Sequence, residues 1–459
     1  MKKALIFALA LITFVGIGSV NLLAFVPYIV IVCVCVVSVL IALNKINEKY
    51  VPVYVFGLAL SLLYQTSMLG DWIVGVDIHN ELNVARYSIE HGWDVHWANG
   101  NNSSLVLGGL APVLAKYLGF SPVWQFKALY PAMYACTPVL LYYVYKKMLG
   151  STRAYFAVLF IIIMPMFSVE MVSMIKSLAA QTFLALAIWI LVCSDAQEKY
   201  KIAGIVVALG CAIMCHYAIG LMTTIYFVGA FATLLLTQVL RKRLGQRTMS
   251  LRGFGIVTLA VVVLCFGYYS WFGGGFMFNT FVATGQSIAH TSTAMVLGAP
   301  APQGYLDRTK PVNASQPNDT QTENAQISDT QAPDVQTPKQ PIYLVYQEPL
   351  VRTALGLDFD TASLYGKVFR ILQYATELLM FAGLFCLLRK KEVVREYKSL
   401  VIAGFGVLAC CLFVPFFSTT VSVTRFYMFA LMFVAPTLVL GIEGVYDLVI
   451  ERRMSYDIS

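Results

Sequence analysis

The stretch from Leu69 to Ser104 gathers Asp71, Asp77, Glu81, Glu90 and Asp94 with His79, His91 and His96, in a chain that is 59% apolar. Asp77 comes soon after an apolar run, in Gly75-Val-Asp-Ile-His-Asn-Glu81. A carboxylate at that level meets hydroxyls or amines from water and lipid-linked groups from the bilayer. There it can take a proton during a displacement or hold a divalent cation such as Mg or Mn. Glu81 comes one helical turn later, on the same face once a helix has begun. Asp77 or Asn80 would serve equally well as the N-cap of a helix starting near His79, and spacing alone does not separate the two roles. The string His91-Gly-Trp-Asp94-Val-His96 puts His, Asp and His within reach of one metal, although three ligands of fitting geometry are not evident.

Three other places carry polar side chains where the pattern demands apolar ones. Glu170 and Lys176 lie in a short turn between apolar runs, where charges are costly unless paired or functional. They can pair with each other at the rim; alternatively, Glu170 shares a site with Asp77, as a second metal ligand or substrate contact, and Lys176 meets a lipid phosphate. His216-Tyr217 interrupts an apolar stretch running from Ile202 to Leu240. A lone His there is either a satisfied structural residue or a substrate contact. Arg425 opens the last apolar run in Thr424-Arg-Phe-Tyr427. Its planar fork suits a phosphate or pyrophosphate, while Arg425 and Tyr427 also fit an interfacial anchor.

The elements that must position these residues are membrane helices. Charged residues make up 12% of the chain, against about 25% in soluble domains. Apolar runs are expected to span at about 4–20, 25–43, 53–69, 125–147, 154–168, 177–193, 201–215, 217–240, 253–271, 367–388, 399–416 and 425–449. The pattern predicts an all-α multi-pass protein of about twelve transmembrane helices. The first, Met-Lys-Lys and then an apolar run, reads as a retained helix rather than a cleaved signal. Basic residues cluster beside alternate ends: Lys2/Lys3, Lys45/Lys49, Lys146/Lys147/Arg153, Lys199/Lys201, Arg241 to Arg252, Arg389 to Lys398, and Arg452/Arg453. By the positive-inside rule both termini are cytoplasmic in a cell (plasma) membrane protein. The net charge of +8 is thus an orientation signal, and no basic face interleaved with aromatics points to nucleic acid.

This topology sends all five histidines and two large segments outside. Segment 70–124 is expected to carry a surface helix over about 79–91, with Leu82, Ala85, Tyr87 and Ile89 on its apolar positions, and a second helix over about 105–120. Segment 273–366 includes a tract over 299–341 rich in Pro, Gln, Thr, Asn, Ala and Asp, read as disordered. The expected organisation is two extra N-terminal helices (1–52), a core (53–272) holding the 70–124 loop, the external segment 273–366, and C-terminal helices with a short tail (367–459). The ten cysteines all lie in or at the ends of apolar runs, so neither a disulfide framework nor a Cys metal site is expected.

An apolar span, then a large outer loop with an acidic residue just past the membrane and two surface helices, resembles the glycosyltransferases of the GT-C fold class. The match covers Leu62–Lys127, with the family's loop Asp at Asp77 and its second outer motif at the Glu170–Lys176 turn. A prokaryotic multi-pass family is also similar, through His216-Tyr217 and through Arg425-Phe-Tyr with Leu431-Met-Phe-Val-Ala-Pro436 after it. The chain departs from the class in its two extra N-terminal helices, in having no Trp-Trp-Asp string and no large C-terminal domain, and in one Glu where acids are paired. The resemblance implies a polyprenyl-phosphate or pyrophosphate sugar donor, a glycan, lipid or protein acceptor, and inverting displacement. Asp77 would take the acceptor proton, Arg425 and Lys176 would neutralise the leaving phosphate, and Glu81, Glu170, His216, Tyr217 and Tyr427 would line the site. A lipid-linked sugar transporter or flippase would show repeat symmetry and midplane polar residues, and neither is visible. A glycan polymerase or ligase would put paired Arg in the late loop, where low complexity stands instead.

Overall fold

The computed structural model describes residues 2–20, 25–97, 99–240, 245–297, 359–360, 362–414, 417 and 423–456. Among them every regular element is helical. In chain order these are α1 (Lys2–Ser19), α2 (Val26–Ala42), α3 (Val51–Ser67), α4 (Asp77–His91), α5 (Ala111–Leu118), α6 (Pro122–Trp124), α7 (Tyr130–Tyr134), α8 (Cys136–Leu149), α9 (Ser151–Ile162), α10 (Ile175–Cys193), α11 (Glu198–Cys215), α12 (Tyr217–Val239), α13 (Leu251–Trp271), α14 (Phe276–Leu297), α15 (Leu364–Arg389), α16 (Arg395–Phe413) and α17 (Val423–Tyr456). Six are long and apolar enough to cross a membrane: α10, α12, α13, α15, α16 and most of α17. The other expected spans correspond to shorter or interrupted helices. The run at 125–147 is divided by a π-helical turn, Gln125–Leu129, and a break after Tyr134. The run at 154–168 stops at Ile162 and resumes over Met166–Ser173 at 60°, which would make a seventh, bent span. Pro165 accounts for that break, because its ring has no N–H and clashes with the carbonyl one turn back.

The external loop expected to begin at 273 instead starts with helix. After a tight turn at Phe272–Gly275 the chain enters α14, whose Met277 is packed into the core. The expected low-complexity tract over 299–341 lies outside the described residues.

The bundle is held by close backbone approach as well as by apolar side chains. α15 and α17 lie along one another, and a Cβ on Gly383 would overlap the carbonyl oxygen of Thr437 while one on Gly441 would overlap that of Leu379. Between helices in lipid, such contacts supply the dispersion energy that water exclusion does not. Gly383→Ala and Gly441→Ala are each expected to cost about 1–3 kcal/mol, through forced separation of the two helices. Gly406→Ala meets nothing within 4 Å and serves as the neutral control. Unfolding of the three variants in detergent micelles checks this; equal midpoints would refute it.

Candidate functional site

One end of the bundle collects the C-terminal ends of α3, α11 and α13 and the N-terminal ends of α10, α12 and α17. The 70–124 segment is pinned across it. Ser104 Oγ donates to the carbonyl of Cys215 at 2.7 Å, and Tyr268 OH to that of Ser103 at 2.8 Å. Lys127 Nζ donates to the carbonyl of Gly70. Gly75, at φ 127°, lies so close to Ser173 that a Cβ would overlap its side chain. Trp93 crosses Gly108 in the same manner and donates to the carbonyl of Asn102 at 2.9 Å.

Within this frame α4 begins at Asp77 and turns one face inward: Ile78, Glu81, Leu82, Val84, Ala85 and Ser88 are buried. Tyr87, expected on the apolar face, is instead exposed and stacks on His91 at 4.6 Å. Glu81 is completely buried. Its Oε2 accepts the backbone N–H of Ile175 at 2.7 Å and that of Lys176 at 3.4 Å, while Lys176 Nζ stands 3.6 Å from Oε1. Met174, which precedes α10, has no capping side chain of its own. Glu81 therefore caps α10 from another element, where a carboxylate also complements the positive helix terminus. Burial pushes its carboxyl above the ordinary carboxylate range, with Asp77 adding repulsion, although Lys176 and the two N–H groups act the other way. Lys176 also donates to Asn101 Oδ1 and lies 5.2 Å from the centre of the Tyr217 ring.

A more exposed layer lies beside this one. Arg425 Nη2 donates to Asp77 Oδ2 at 2.7 Å, and its Nε is 3.7 Å from Glu170 Oε1. Thr424 Oγ1 donates to that same glutamate oxygen at 2.8 Å. Glu170 ends a π-helical turn, Met166–Glu170, and the chain reaches α10 only after a 3-10 turn over Met171–Ser173. Such widened turns re-aim side chains that a regular helix would point elsewhere.

His216 is the single extended residue between α11 and α12. It is buried, and its Nδ1 accepts the N–H groups of Ala218 at 3.0 Å and Ile219 at 3.2 Å. Its ring stacks on Tyr217 at 5.0 Å. Burial, and then the charges of Lys176 and Arg425, hold its pKa well below 6.5.

The geometry settles the open local roles. Asp77 does not cap α4; it lies inside the first turn and binds Arg425. Glu170 pairs with Arg425 and Thr424 rather than with Lys176, whose carboxylate partner is Glu81. His216 is the cap of α12. Tyr427, two residues beyond Arg425, falls on roughly the opposite side of its helix and packs against the core, away from Asp77. His91 is turned onto Tyr87, and Asp94 accepts the N–H of His96. Among the described residues no group of three or more His, Cys, Asp or Glu is arranged to hold a metal. Asn101 and Thr424 were not legible as site residues. Asn101 sits in a run of small polar residues, and only the Arg425 motif beside Thr424 marked its neighbourhood.

No known family model matches the chain, and no curated protein is significantly similar to it.

Two outcomes are expected for stability. Lys176→Met leaves the Glu81 carboxylate buried without its cation and is expected to cost about 3–5 kcal/mol. Glu81→Gln together with Lys176→Met should cost less than the two single changes added, as read from a double-mutant cycle of unfolding midpoints; simple additivity would count against the pair. The second outcome concerns pH. The folded pKa of His216 lies below the unfolded one, so the unfolded chain binds the extra proton first. The stability linked to neutral His216 is complete above 6.5 and is lost as pH falls through and below that value. Thermal midpoints of wild type and His216→Asn, compared from pH 8 to 5, should show a steeper acid loss in the wild type; parallel curves would refute it.

Proposed function

We propose that this chain is an integral membrane glycosyltransferase of the GT-C type. It would move a sugar from a polyprenyl-phosphate or pyrophosphate donor to an acceptor at the outer face of the cell membrane, with inversion. The observation that carries this reading is the Asp77–Arg425–Glu170 cluster, assembled from three separate parts of the chain. It combines a solvent-accessible carboxylate with a guanidinium at the end of a bundle of apolar helices. The resemblance of the 62–127 stretch to the GT-C loop supplies the substrate class.

In this mechanism the donor's isoprenoid lies against the helices and its phosphate takes donors from the Arg425 fork. The phosphate competes with Asp77 for those donors and releases the carboxylate. The acceptor oxygen attacks the anomeric carbon as the carbon–oxygen bond to phosphate breaks. The electron pair leaves with the phosphate, held by Arg425, and the acceptor proton passes to Asp77. Acceptor classes remain a glycan, a lipid or a protein. A divalent ion such as Mg or Mn would compete with Arg425 for the oxygens of Asp77 and Glu170, so no step is routed through one.

Orientation has its own support. Lys147 and Asp195, Lys201 and Thr248, Arg395 and Glu396 meet at the opposite end of the bundle from Asp77. The positive-inside rule makes that end cytoplasmic and leaves the cluster outside. About twelve crossings with both termini inside complete the reading, with the shorter helices counted as spans in a bundle.

The test is transfer from a polyprenyl-linked sugar by the purified full chain in nanodiscs. Asp77→Asn is expected to keep its unfolding temperature within a few degrees, because an exposed ion pair contributes about 0–1 kcal/mol. Its transfer should fall about 10²–10⁴-fold. Full transfer by Asp77→Asn would overturn the assignment. So would movement of the lipid-linked sugar across proteoliposomes that Asp77→Asn leaves intact, which would mark a flippase.

A further inference from the structure

His216 has one ring nitrogen committed and one without a partner. Nδ1 accepts two backbone N–H groups, so it carries the lone pair and cannot carry the proton. The proton of the neutral ring is therefore on Nε2. That atom is buried and finds no hydrogen-bond partner among the described residues. A buried donor left unsatisfied is destabilising, so this one is either a defect or half of a contact with something else.

The surroundings identify the other half. The charges of both Lys176 and Arg425 act on the ring, and Lys176 lies over Tyr217, which stacks on it. The carboxylates of the region are engaged elsewhere: Glu81 with the N-terminus of α10, Asp77 with Arg425, and Glu170 with Thr424 and Arg425. Lys176 and Arg425 are paired with those same carboxylates, so what is left without a partner is the buried Nε2–H donor, in cationic surroundings. The complementary group is an anionic oxygen.

We propose that His216 is a phosphate-binding residue that acts only as an Nε2–H donor, its tautomer locked by its capping of α12. It would hold a non-bridging oxygen of the lipid-linked phosphate and would neither accept nor lose a proton during turnover. This rests on the lipid-phosphate reading of the site and deepens it. The cap fixes which nitrogen faces the site, so the rigidity of the α11–α12 turn becomes rigidity of the hydrogen bond.

Two variants separate the two ring nitrogens. His216→Asn keeps an acceptor near the Nδ1 position and should preserve the cap while losing the Nε2 donor. His216→Gln places an amide donor near Nε2 and gives up the cap. The probes are a polyprenyl phosphodiester sugar, whose charge is constant over neutral pH, and the matching polyprenol, both titrated into the full chain in detergent micelles.

Wild type should bind the phosphodiester more tightly than the alcohol. His216→Asn should lose about tenfold or more of phosphodiester affinity, the scale of one hydrogen bond to a charged group, with alcohol binding unchanged. His216→Gln should unfold at lower temperature yet bind the phosphodiester better than His216→Asn does. Nitrogen-15 spectra of the histidine-labelled wild type should assign to His216 a proton on Nε2, with that signal moving when the phosphodiester is added.

Phosphodiester binding by His216→Asn at wild-type strength, or a proton on Nδ1, would overturn the inference and leave the glycosyltransferase reading standing. A wild type that prefers the phosphodiester no more than the alcohol would remove both. The spectrum needs no variant, so a poorly folding substitution does not shelter the proposal.

Discussion

A carboxylate with no access to water sits at the join between the 70–124 segment and the helical bundle. Glu81 gives its two oxygens to the backbone of Ile175 and Lys176 and to the ammonium of Lys176. A buried carboxylate tolerates little freedom, because every displaced donor leaves charge unpaired in a medium of low polarizability. The same bonds fix where α4 lies relative to α10. Asp77, one turn before Glu81, is then placed at the rim, and Lys176 is drawn over the Tyr217 ring and toward Asn101. Much of the site's geometry depends on that one carboxylate remaining in place.

Around it, the fold uses the ends of helices as its chemical resource. Three N-termini approach one end of the bundle, and each brings orphan N–H groups and a positive partial charge. Glu81 satisfies those of α10 and His216 those of α12. Thr424 and Arg425 stand in the first turn of α17 and reach Glu170 and Asp77. Capping, normally a stability device, thereby also orients side chains: Glu81 is consumed by its cap, while His216 is aimed by its own. Irregular turns complete the arrangement. The π-helical turn ending at Glu170, the non-helical Met174 and the extended His216 give the backbone directions that regular helices would deny.

The exposed ion pair and the buried one play different parts. Asp77 and Arg425 remain partly open to solvent, where the pair contributes little to stability and exchanges easily with another anion. Glu81 and Lys176 are almost wholly enclosed and are poor candidates for exchange. A binding event at this end of the bundle would therefore rearrange the outer layer on a fixed inner one.

Much of the helical frame was legible in the sequence because apolar run length and the spacing of basic residues are properties of the chain itself. The break at 216 was legible through the polar pair His216-Tyr217, whereas the span expected over 154–168 ran straight through Pro165 and missed the bend there. The extension of helix through 276–297 was not, since three glycines at 273–275 read equally well as the start of a loop and as the turn before α14. Of the site, residue types marked Asp77, Glu81, Glu170, Lys176, His216 and Arg425, and their partners stayed hidden. Asp77 lies 348 residues from Arg425, and no local rule ranks Arg425 over Lys176 as the partner of Glu170. The sequence determined that this is a helical chain of membrane character with polar residues concentrated between particular apolar runs. Only the tertiary structure decided which carboxylate is buried and which is offered to solvent, because burial depends on how helices from distant parts of the chain pack together, and pairing depends on distances of a few ångströms that one-dimensional spacing does not carry.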